Sequence, residues 1–191
     1  WAIKSGTAYT VPLLLCKKGR NMEKLSIYRI SDKYIHFLHS RDKRVQFNKD
    51  ARRPYVGVVL LVGEYRYFVP MESPKPNHVR IKPGIHIFKL DDGKLGILGF
   101  NNMVPAPDCA LIRFDIDDET DAQYRALLYN QLVEIDRNRA SIFQRSAKTY
   151  FEVVNKKNTF LCNISCDFKT LERASKRYDP NYIWKNAKPE A

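Results

Sequence analysis

Two β-prone segments joined by a short turn constrain the fold of this chain most. Residues 55–61 and 65–71 are rich in valine, leucine, tyrosine and phenylalanine, and the turn Val62 to Glu64, with Gly63 at its centre, separates them. Strand-forming segments separated by a few residues that include glycine are typical of a β-hairpin. The sequence therefore predicts that the two segments pair antiparallel.

Reactive side chains follow the second of these strands. Glu72, Ser73 and Lys75 come directly after its apolar residues, and Pro70 and Pro74 restrict the backbone around them. A strand that is braced by a sheet holds the residues at its end in a narrow range of positions, as catalytic groups require. This strand end is therefore the first candidate for a functional site.

Further strand patterns complete the first half of the chain. Ser31 and Asp32 favour the start of a short helix that covers residues 34–38. A second hairpin is predicted where residues 91–94 separate two apolar segments. We expect the remaining strands at residues 25–30, 85–90, 95–98 and 110–114, with Pro105 and Pro107 confined to an edge or a loop.

The second half of the chain changes to helical periodicity. Beyond Asp115, apolar residues recur about every 3.6 positions, and Thr120 with Gln123 has the spacing of a capping box. This pattern predicts one long helix or a broken pair of helices up to about Asn158, followed by a last helix over residues 167–178. Strands first and helices after them indicate an α+β fold, with an antiparallel sheet, a short N-terminal helix and C-terminal helices.

Length and charge narrow the class of protein. The chain has 191 residues, of which 44% are hydrophobic, and this is enough for the core of one domain. Lysine and arginine number 33 against 21 acidic residues, so the formal charge is +12. Such a charge attracts polyanions, and nucleic acid is the leading candidate partner. A solvated basic surface without a dedicated ligand is the alternative.

The first 21 residues differ from the rest of the chain. Their charged residues are all basic, and the run Lys17 to Arg20 can be encoded by purines, as a ribosome-binding site ahead of Met22 would be. We therefore expect residues 1–21 to be a non-native or upstream read-through extension. Residues 22–180 are predicted to form a single domain, and residues 181–191 a tail.

Hydropathy and cysteine content indicate the compartment. No apolar run reaches the ~18 residues that a membrane-spanning helix needs, so we expect a cytoplasmic protein without membrane contact. Four cysteines, at positions 16, 109, 162 and 166, are few for a secreted disulfide scaffold and fit a reducing compartment. Cys162 and Cys166 have no histidine pair nearby, so no zinc site is expected.

The strand-end residues match the needs of RNA cleavage by the RNA's own 2′-hydroxyl. That reaction needs a base near the hydroxyl, a proton donor for the leaving oxygen and positive charge near the phosphorus, but no metal. Lys75 suits the acid or base role, and Arg53, which stays protonated, suits a phosphate clamp. Ser73 lies where its hydroxyl can converge with Lys75. The alternative is an ordinary Ser-Pro turn followed by a solvated lysine.

Basic and aromatic residues extend the candidate site. The segment 40–53 is rich in arginine and lysine and ends beside Tyr55, a composition suited to phosphate contacts and base stacking. The phenol of Tyr34 can stack on a base or bond a phosphate, or it can pack in the core. The predicted RNA contacts are Glu72, His78, Lys33, Arg52, Lys49, Arg66 and Tyr55, and each has a solvated or structural alternative.

Six short motifs form an ordered pattern from about Met22 to Tyr178. They lie at residues 26–31, 33–35, 53–60, 67–75, 94–96 and 129–132. None of these motifs is highly specific alone, but their ordered set resembles the ToxN/AbiQ family. This family comprises the toxins of type III toxin–antitoxin systems and of phage abortive infection.

The resemblance implies a sequence-selective, metal-independent endoribonuclease without a cofactor. Its sheet would be compact, strongly twisted and related to that of the Kid/MazF toxins, and its products would be a 2′,3′-cyclic phosphate and a 5′-hydroxyl. The resemblance also implies a pseudoknot-type antitoxin RNA, which the toxin cuts from a repeat precursor and which inhibits it in a closed toxin–RNA assembly. Cellular mRNAs are the expected substrates, and neither DNA nor a membrane is an expected partner.

The resemblance also assigns roles to single positions. Ser73 and Lys75 match the family's strand-end serine and lysine, and Tyr34 matches an active-site tyrosine. Arg53 falls where some members have a lysine, which favours phosphate stabilisation over a base role. Glu72 replaces a small hydroxyl residue of some members, which would alter sequence preference. The predicted catalytic residues are therefore Ser73, Lys75, Arg53 and Tyr34.

Two other classes of function stay open at this point. A non-catalytic RNA-binding protein would use the same basic face and the same tyrosines. A DNA-binding module would bind duplex DNA at least as tightly as single-stranded RNA at matched salt. Substitution of Ser73 or Lys75 separates the enzyme from the non-catalytic binder, because only the enzyme loses activity.

Overall fold

Within the described part of the chain, seven strands pair antiparallel in one sheet that is built around a central hairpin. The structure, a computed structural model, describes residues 25–48, 52–82, 84–112 and 114–181. The strands are β1 (Ser26–Ile30), β2 (Tyr55–Val62), β3 (Tyr65–Glu72), β4 (Ile87–Leu90), β5 (Gly96–Gly99), β6 (Val104–Pro105) and β7 (Leu111–Ile112). The helices are α1 (Asp32–Arg41), α2 (Ala122–Arg137), α3 (Arg139–Val154), α4 (Thr159–Ile164) and α5 (Phe168–Lys176).

Strand β3 has the most neighbours in the sheet. The strand order is β4-β5-β3-β2-β1-β7, and the short strand β6 pairs with β3 as well. Strands β2 and β3 form the first predicted hairpin, and β4 and β5 form the second. The antiparallel sheet and the helices that follow it confirm the predicted α+β class.

The core lies between the sheet and helices α1, α3 and α5. Tyr67 and Phe68 of β3 are fully buried, and Phe168 of α5 packs edge-on against Tyr67, with 5.8 Å between the ring centroids. Ile35 of α1 and Ile142 of α3 belong to the same buried cluster. Because the aromatic residues of β3 pack in this core, the register of β3 against its neighbouring strands is fixed.

The first turn of helix α2 departs from the predicted capping box. The N-cap is Asp121, and its carboxylate accepts hydrogen bonds from the backbone N–H groups of Gln123 (2.9 Å) and Tyr124 (3.1 Å). The predicted cap, Thr120, lies one residue earlier. A carboxylate that accepts two N–H groups also interacts favourably with the positive end of the helix dipole, which explains why the helix starts after Asp121.

Other boundaries refine the predicted elements. The helical region up to Asn158 is a broken pair, because α2 ends at Arg137 and α3 begins at Arg139. The strand predicted for residues 110–114 is reduced to the two residues of β7, which pair with β1. Pro105 lies in β6, which is also only two residues long; proline has no N–H to donate to a longer ladder.

Two sequence predictions concern the ends of the chain. The predicted extension, residues 1–21, lies outside the described residues, and so does the tail from residue 182 onward.

Within the described residues, no helix is both long enough and apolar enough to cross a membrane.

A buried carboxylate ties β3 to α5. Glu172, only 5% exposed, accepts hydrogen bonds from the hydroxyls of Tyr67 (3.0 Å) and Tyr150 (2.6 Å) and from Lys169 Nζ (2.9 Å). Burial raises the pKa of Tyr67, and it raises the pKa of Tyr150 to about 12, so both phenols stay protonated and donate. The buried charge is therefore satisfied, and it fixes α5 against the sheet.

Replacing Glu172 with leucine leaves two buried hydroxyls without their acceptor. We expect the free energy of unfolding to fall by about 2 to 5 kcal/mol, because each unsatisfied buried group costs roughly 1 to 3 kcal/mol. Urea denaturation followed by circular dichroism measures this. Lys176→Ala, which removes an exposed ion pair with Glu64, is the control and should leave the stability nearly unchanged. Equal stability of the Glu172 and Lys176 variants would contradict the anchoring role.

Candidate active site

A groove of about 800 Å³ lies at the open end of the β2–β3 hairpin, away from its turn. Five of the predicted residues line it, namely Arg52, Arg53, Glu72, Ser73 and Lys75. The structure thus brings the end of the basic segment and the reactive strand end into one cavity. The other lining residues are Arg29, Gln46, Pro54, Met71, Glu119, Thr120, Asp121 and Tyr124.

The hairpin register places Arg53 beside Ser73. The ladder of β2 and β3 ends with Tyr55 opposite Pro70, and a hydrogen bond from Met71 N–H to the Pro54 carbonyl (2.9 Å) continues it by one residue. Continued in the same register, Arg53 stands opposite Glu72, next to Ser73. The β-pairing therefore brings the guanidinium to the strand end.

A second strand neighbour fixes the same strand end from the other side. Glu72 pairs with Ile97 of β5, directly after Gly96. Gly96 has a φ of 104°, and a Cβ atom at this position would lie 2.1 Å from the carbonyl oxygen of Glu72. Only glycine fits such a close approach at a positive φ. The backbone that carries Glu72 and Ser73 is therefore held between β2 and β5.

The ammonium of Lys75 already has a partner within the groove. Lys75 Nζ lies 3.0 Å from Glu72 Oε2, and the side chains are 55% and 28% exposed. In an ideal strand Glu72 and Ser73 would lie on opposite faces, yet both line the groove. Regular pleating ends at Glu72, so the strand rule does not separate them.

His78, a predicted RNA contact, is buried behind the groove. Its side chain is 2% exposed, and its Nε2 lies 3.9 Å from Glu72 Oε2. Burial lowers the pKa of His78, while the nearby Glu72 carboxylate opposes this shift. Its Nδ1 is buried and has no hydrogen-bond partner among the described residues. His78 therefore does not present a surface to RNA directly.

Two predicted tyrosines are core residues in the structure. Tyr34 is fully buried, and its hydroxyl donates to the carbonyl of Pro105 at 2.6 Å. Tyr55 is 2% exposed, and its hydroxyl donates to Asn48 Oδ1 at 2.5 Å. Neither ring lines the groove, so neither is available there for stacking on a base. For Tyr34 the core alternative of the sequence interpretation applies, and the burial of Tyr55 corrects its prediction as an RNA contact.

Two predicted basic contacts, Lys33 and Arg66, do not line the groove. Lys33 Nζ donates to the carbonyl of Pro180 at 2.6 Å. Arg66 pairs with Asp108 at 2.5 Å near the turn of the hairpin, about 20 Å along β3 from the groove at ~3.3 Å per residue. Lys49 lies outside the described residues.

The residues of the opposite wall of the groove were not predicted from the sequence. Arg29 of β1 and Glu119, 90 positions later, meet there with their charged atoms 3.4 Å apart. The pairing of Arg29 with Ile112 across β1 and β7 brings these distant segments together. The run of acidic residues at 115–121 was the available signal, because it carries more charge than helix capping requires.

The groove combines cationic and anionic groups. The cations can bind the phosphates of a nucleic acid, and the carboxylates can accept hydrogen bonds from base edges. A hydroxyl (Ser73), an ammonium (Lys75) and a guanidinium (Arg53) in one cavity can bind a phosphodiester and move protons. Within the described part of the chain, no group of three or more histidine, cysteine or acidic side chains could hold a metal ion.

Known proteins are similar to this chain in both fold and sequence. The family model for toxin ToxN of type III toxin–antitoxin systems matches residues 26–176. The chain is 32% identical to Endoribonuclease ToxN of Bacillus thuringiensis subsp. kurstaki, over 83% of this chain and 86% of that protein. It is 27% identical to Endoribonuclease AbiQ of Lactococcus lactis subsp. lactis, over 81% and 89%. A solved type III toxin that a non-coding RNA pseudoknot inhibits superposes with a TM-score of 0.73, at 31% identity over 82% of this chain and 98% of that chain.

The matched segment contains the whole sheet, the groove and helix α5. The similarity therefore covers the elements that position Arg53, Ser73 and Lys75, as well as the opposite wall. This chain belongs to the ToxN family of toxins from type III toxin–antitoxin systems.

Proposed function

We propose that this endoribonuclease of the ToxN family cleaves RNA in the groove at the end of the β2–β3 hairpin. In the proposed reaction, the 2′-hydroxyl attacks the adjacent phosphorus and the 5′-oxygen leaves, giving a 2′,3′-cyclic phosphate and a 5′-hydroxyl. The observation that carries the proposal is the convergence of Arg53, Ser73 and Lys75 on one cavity. These groups supply what the reaction needs without a metal ion.

Each groove residue has a distinct role in this proposal. Arg53 lies beside the strand end and binds the phosphate oxygens, because its guanidinium stays charged and its donors match a phosphate. Its Nη1 donates to Gln46 Oε1 at 2.5 Å, which orients the group. Lys75 transfers a proton to or from the reacting oxygens, and the Ser73 hydroxyl bonds to the phosphate. Arg52 contacts a neighbouring phosphate.

The partners follow from the same groove. We propose that a structured antitoxin RNA, a pseudoknot-type repeat processed by the toxin, occupies the groove and excludes cellular mRNA in a closed toxin–RNA assembly. The solved toxin that a non-coding RNA pseudoknot inhibits supports this. We place the reaction in the cytoplasm and expect no DNA partner. A relation of the sheet to that of the Kid/MazF toxins stays a prediction.

Substitution at the strand end tests the cleavage step. Lys75→Met should lower the cleavage rate by about 10²- to 10⁴-fold, the usual contribution of a positioned proton-transfer group. Ser73→Ala should lower it by about 10²- to 10³-fold, the usual contribution of one hydrogen-bond donor to developing charge. A single-turnover assay on a labelled RNA measures the rate, with chelator present throughout. The matched control is Lys148→Met, an exposed lysine of helix α3 outside the groove, which should cleave at the wild-type rate.

The products separate the enzyme from a non-catalytic binder. Cleavage should leave a cyclic phosphate, identified by mass spectrometry, and 2′-O-methylation of the scissile nucleotide should stop it. If both strand-end variants cleave as fast as the wild type, the assignment of Ser73 and Lys75 is wrong. If the purified wild-type protein binds RNA but never cleaves it, the non-catalytic alternative stands.

Gly96→Ala tests whether the backbone contact with Glu72 positions the site. The new Cβ would collide with the Glu72 carbonyl, and a displacement of about 1 Å at a reacting group costs on the order of 10² in rate. We therefore expect the cleavage rate per folded molecule to fall by about that factor. Gly63→Ala is the control: Gly63 also has a positive φ, of 59°, but no atom within 4 Å of the added Cβ. It should lose stability and keep its rate; an equal loss of rate in both variants would refute the positioning role.

Tyr34→Phe tests the tyrosine role that the family resemblance implies. The substitution keeps the buried ring and removes the hydrogen bond to Pro105, so stability should fall by about 1 to 3 kcal/mol. We expect the cleavage rate per folded molecule to stay within about twofold of the wild type, because the hydroxyl lies in the core. Thermal denaturation and the single-turnover assay give the two values. A loss of rate without a loss of stability would instead place the phenol in the reaction.

A further inference from the structure

Two of the four cationic side chains that line the groove are paired with carboxylates before any RNA binds. Glu72 lies 3.0 Å from Lys75, and Glu119 lies 3.4 Å from Arg29. An ammonium in an ion pair cannot also bind a phosphate at full strength, because both anions compete for the same donors. An RNA phosphate that reaches Lys75 is therefore repelled by the Glu72 carboxylate, and this repulsion favours a turn of the carboxylate away from the ammonium.

The displaced carboxylate has a second partner close by. Glu72 Oε2 already lies 3.9 Å from His78 Nε2, just beyond hydrogen-bond distance. The imidazole is only 2% exposed, so its contact with water is small. Its Nδ1 makes no hydrogen bond within the described residues. A small rotation of the Glu72 side chain would give Nε2–H an acceptor.

The backbone around Glu72 is held independently of its side chain. The main chain of Glu72 is held by its pairing with Ile97 and by the close approach of Gly96. The loop after it is closed by a hydrogen bond from His78 N–H to the Lys75 carbonyl at 2.9 Å. The backbones of Lys75 and His78 are therefore held close to a carboxylate whose side chain is 28% exposed.

We infer that Glu72 is a positioning residue with two partners: it holds Lys75 in the free toxin and turns to His78 when an RNA phosphate takes Lys75. This inference rests on the proposed function, since it assumes that the groove binds RNA at Lys75. It gives a physical role to the glutamate at position 72, where some family members have a small hydroxyl residue. The carboxylate competes with RNA for the ammonium and recaptures it when the product leaves.

Binding of an RNA that cannot be cut tests the competition. The probe is a mixed-sequence RNA in which every ribose is 2′-O-methylated, so no 2′-hydroxyl is available. Glu72→Gln should bind this probe about two- to fivefold more tightly than the wild type, the range of an exposed ion pair, and the gain should shrink at high salt. Glu119→Gln is the matched control, because it removes an equal charge from the opposite wall. The gain from Glu72→Gln should exceed that of the control.

Kinetics separate positioning from a structural effect. With cleavable RNA, Glu72→Gln should lower KM by a similar factor without raising kcat, because the ammonium is easier to occupy but no more reactive. A merely structural role for Glu72 would instead lower stability and kcat. The inference is overturned if Glu72→Gln binds the probe no more tightly than the wild type, or if Glu119→Gln gains as much.

The histidine provides an independent readout. The sequence has four histidines, so the ring signals of His78 can be assigned by NMR through comparison with His78→Gln. Addition of the methylated RNA should shift the His78 Nε2 signal toward a hydrogen-bonded value in the wild type but not in Glu72→Gln. An unchanged His78 signal in the wild-type complex would exclude the second partner. These outcomes are distinct from failure of the proposed function, in which Ser73 and Lys75 variants would still cleave RNA.

Discussion

The register between strands β2 and β3 is the constraint on which the site depends. The hydrogen bond from Met71 to Pro54 extends this pairing to the edge of the groove, so that Arg53 arrives beside Ser73. A slip of one residue would turn the side chains of a strand to the opposite face. It would move the buried ring of Phe68 away from Gly57, where an added Cβ atom would lie 2.2 Å from that ring, so packing selects the same register that assembles the site.

The polar groups of the core and those of the groove differ in how firmly they are bonded. In the core, each tyrosine hydroxyl has a fixed acceptor: Tyr34 donates to Pro105, and Tyr67 and Tyr150 donate to Glu172. In the groove, the pair of Glu72 and Lys75 is partly exposed and can be replaced by a charged ligand. Buried polar networks specify the fold because breaking them is costly, whereas exposed pairs exchange partners at low cost.

Local sequence patterns predict the parts of this protein that depend on neighbouring residues. Both hairpins and the helical second half follow from periodicity and turns, and Ser73 and Lys75 follow from their place after β3. The wall formed by Arg29 and Glu119 could not be predicted this way, because strand pairing unites residues 90 positions apart. The burial of Tyr55 was likewise not evident, since a tyrosine after a basic segment suits a core and a surface equally.

The contact between Gly96 and the Glu72 carbonyl involves only main-chain atoms on the Glu72 side. The shape of this strand end is therefore independent of which side chain stands at position 72. An exchange there changes the charge that an incoming nucleotide meets, while the backbone that carries Ser73 keeps its shape. This architecture lets the recognition of RNA diversify between related toxins without disturbing the cutting machinery, so a toxin and its RNA inhibitor can change together.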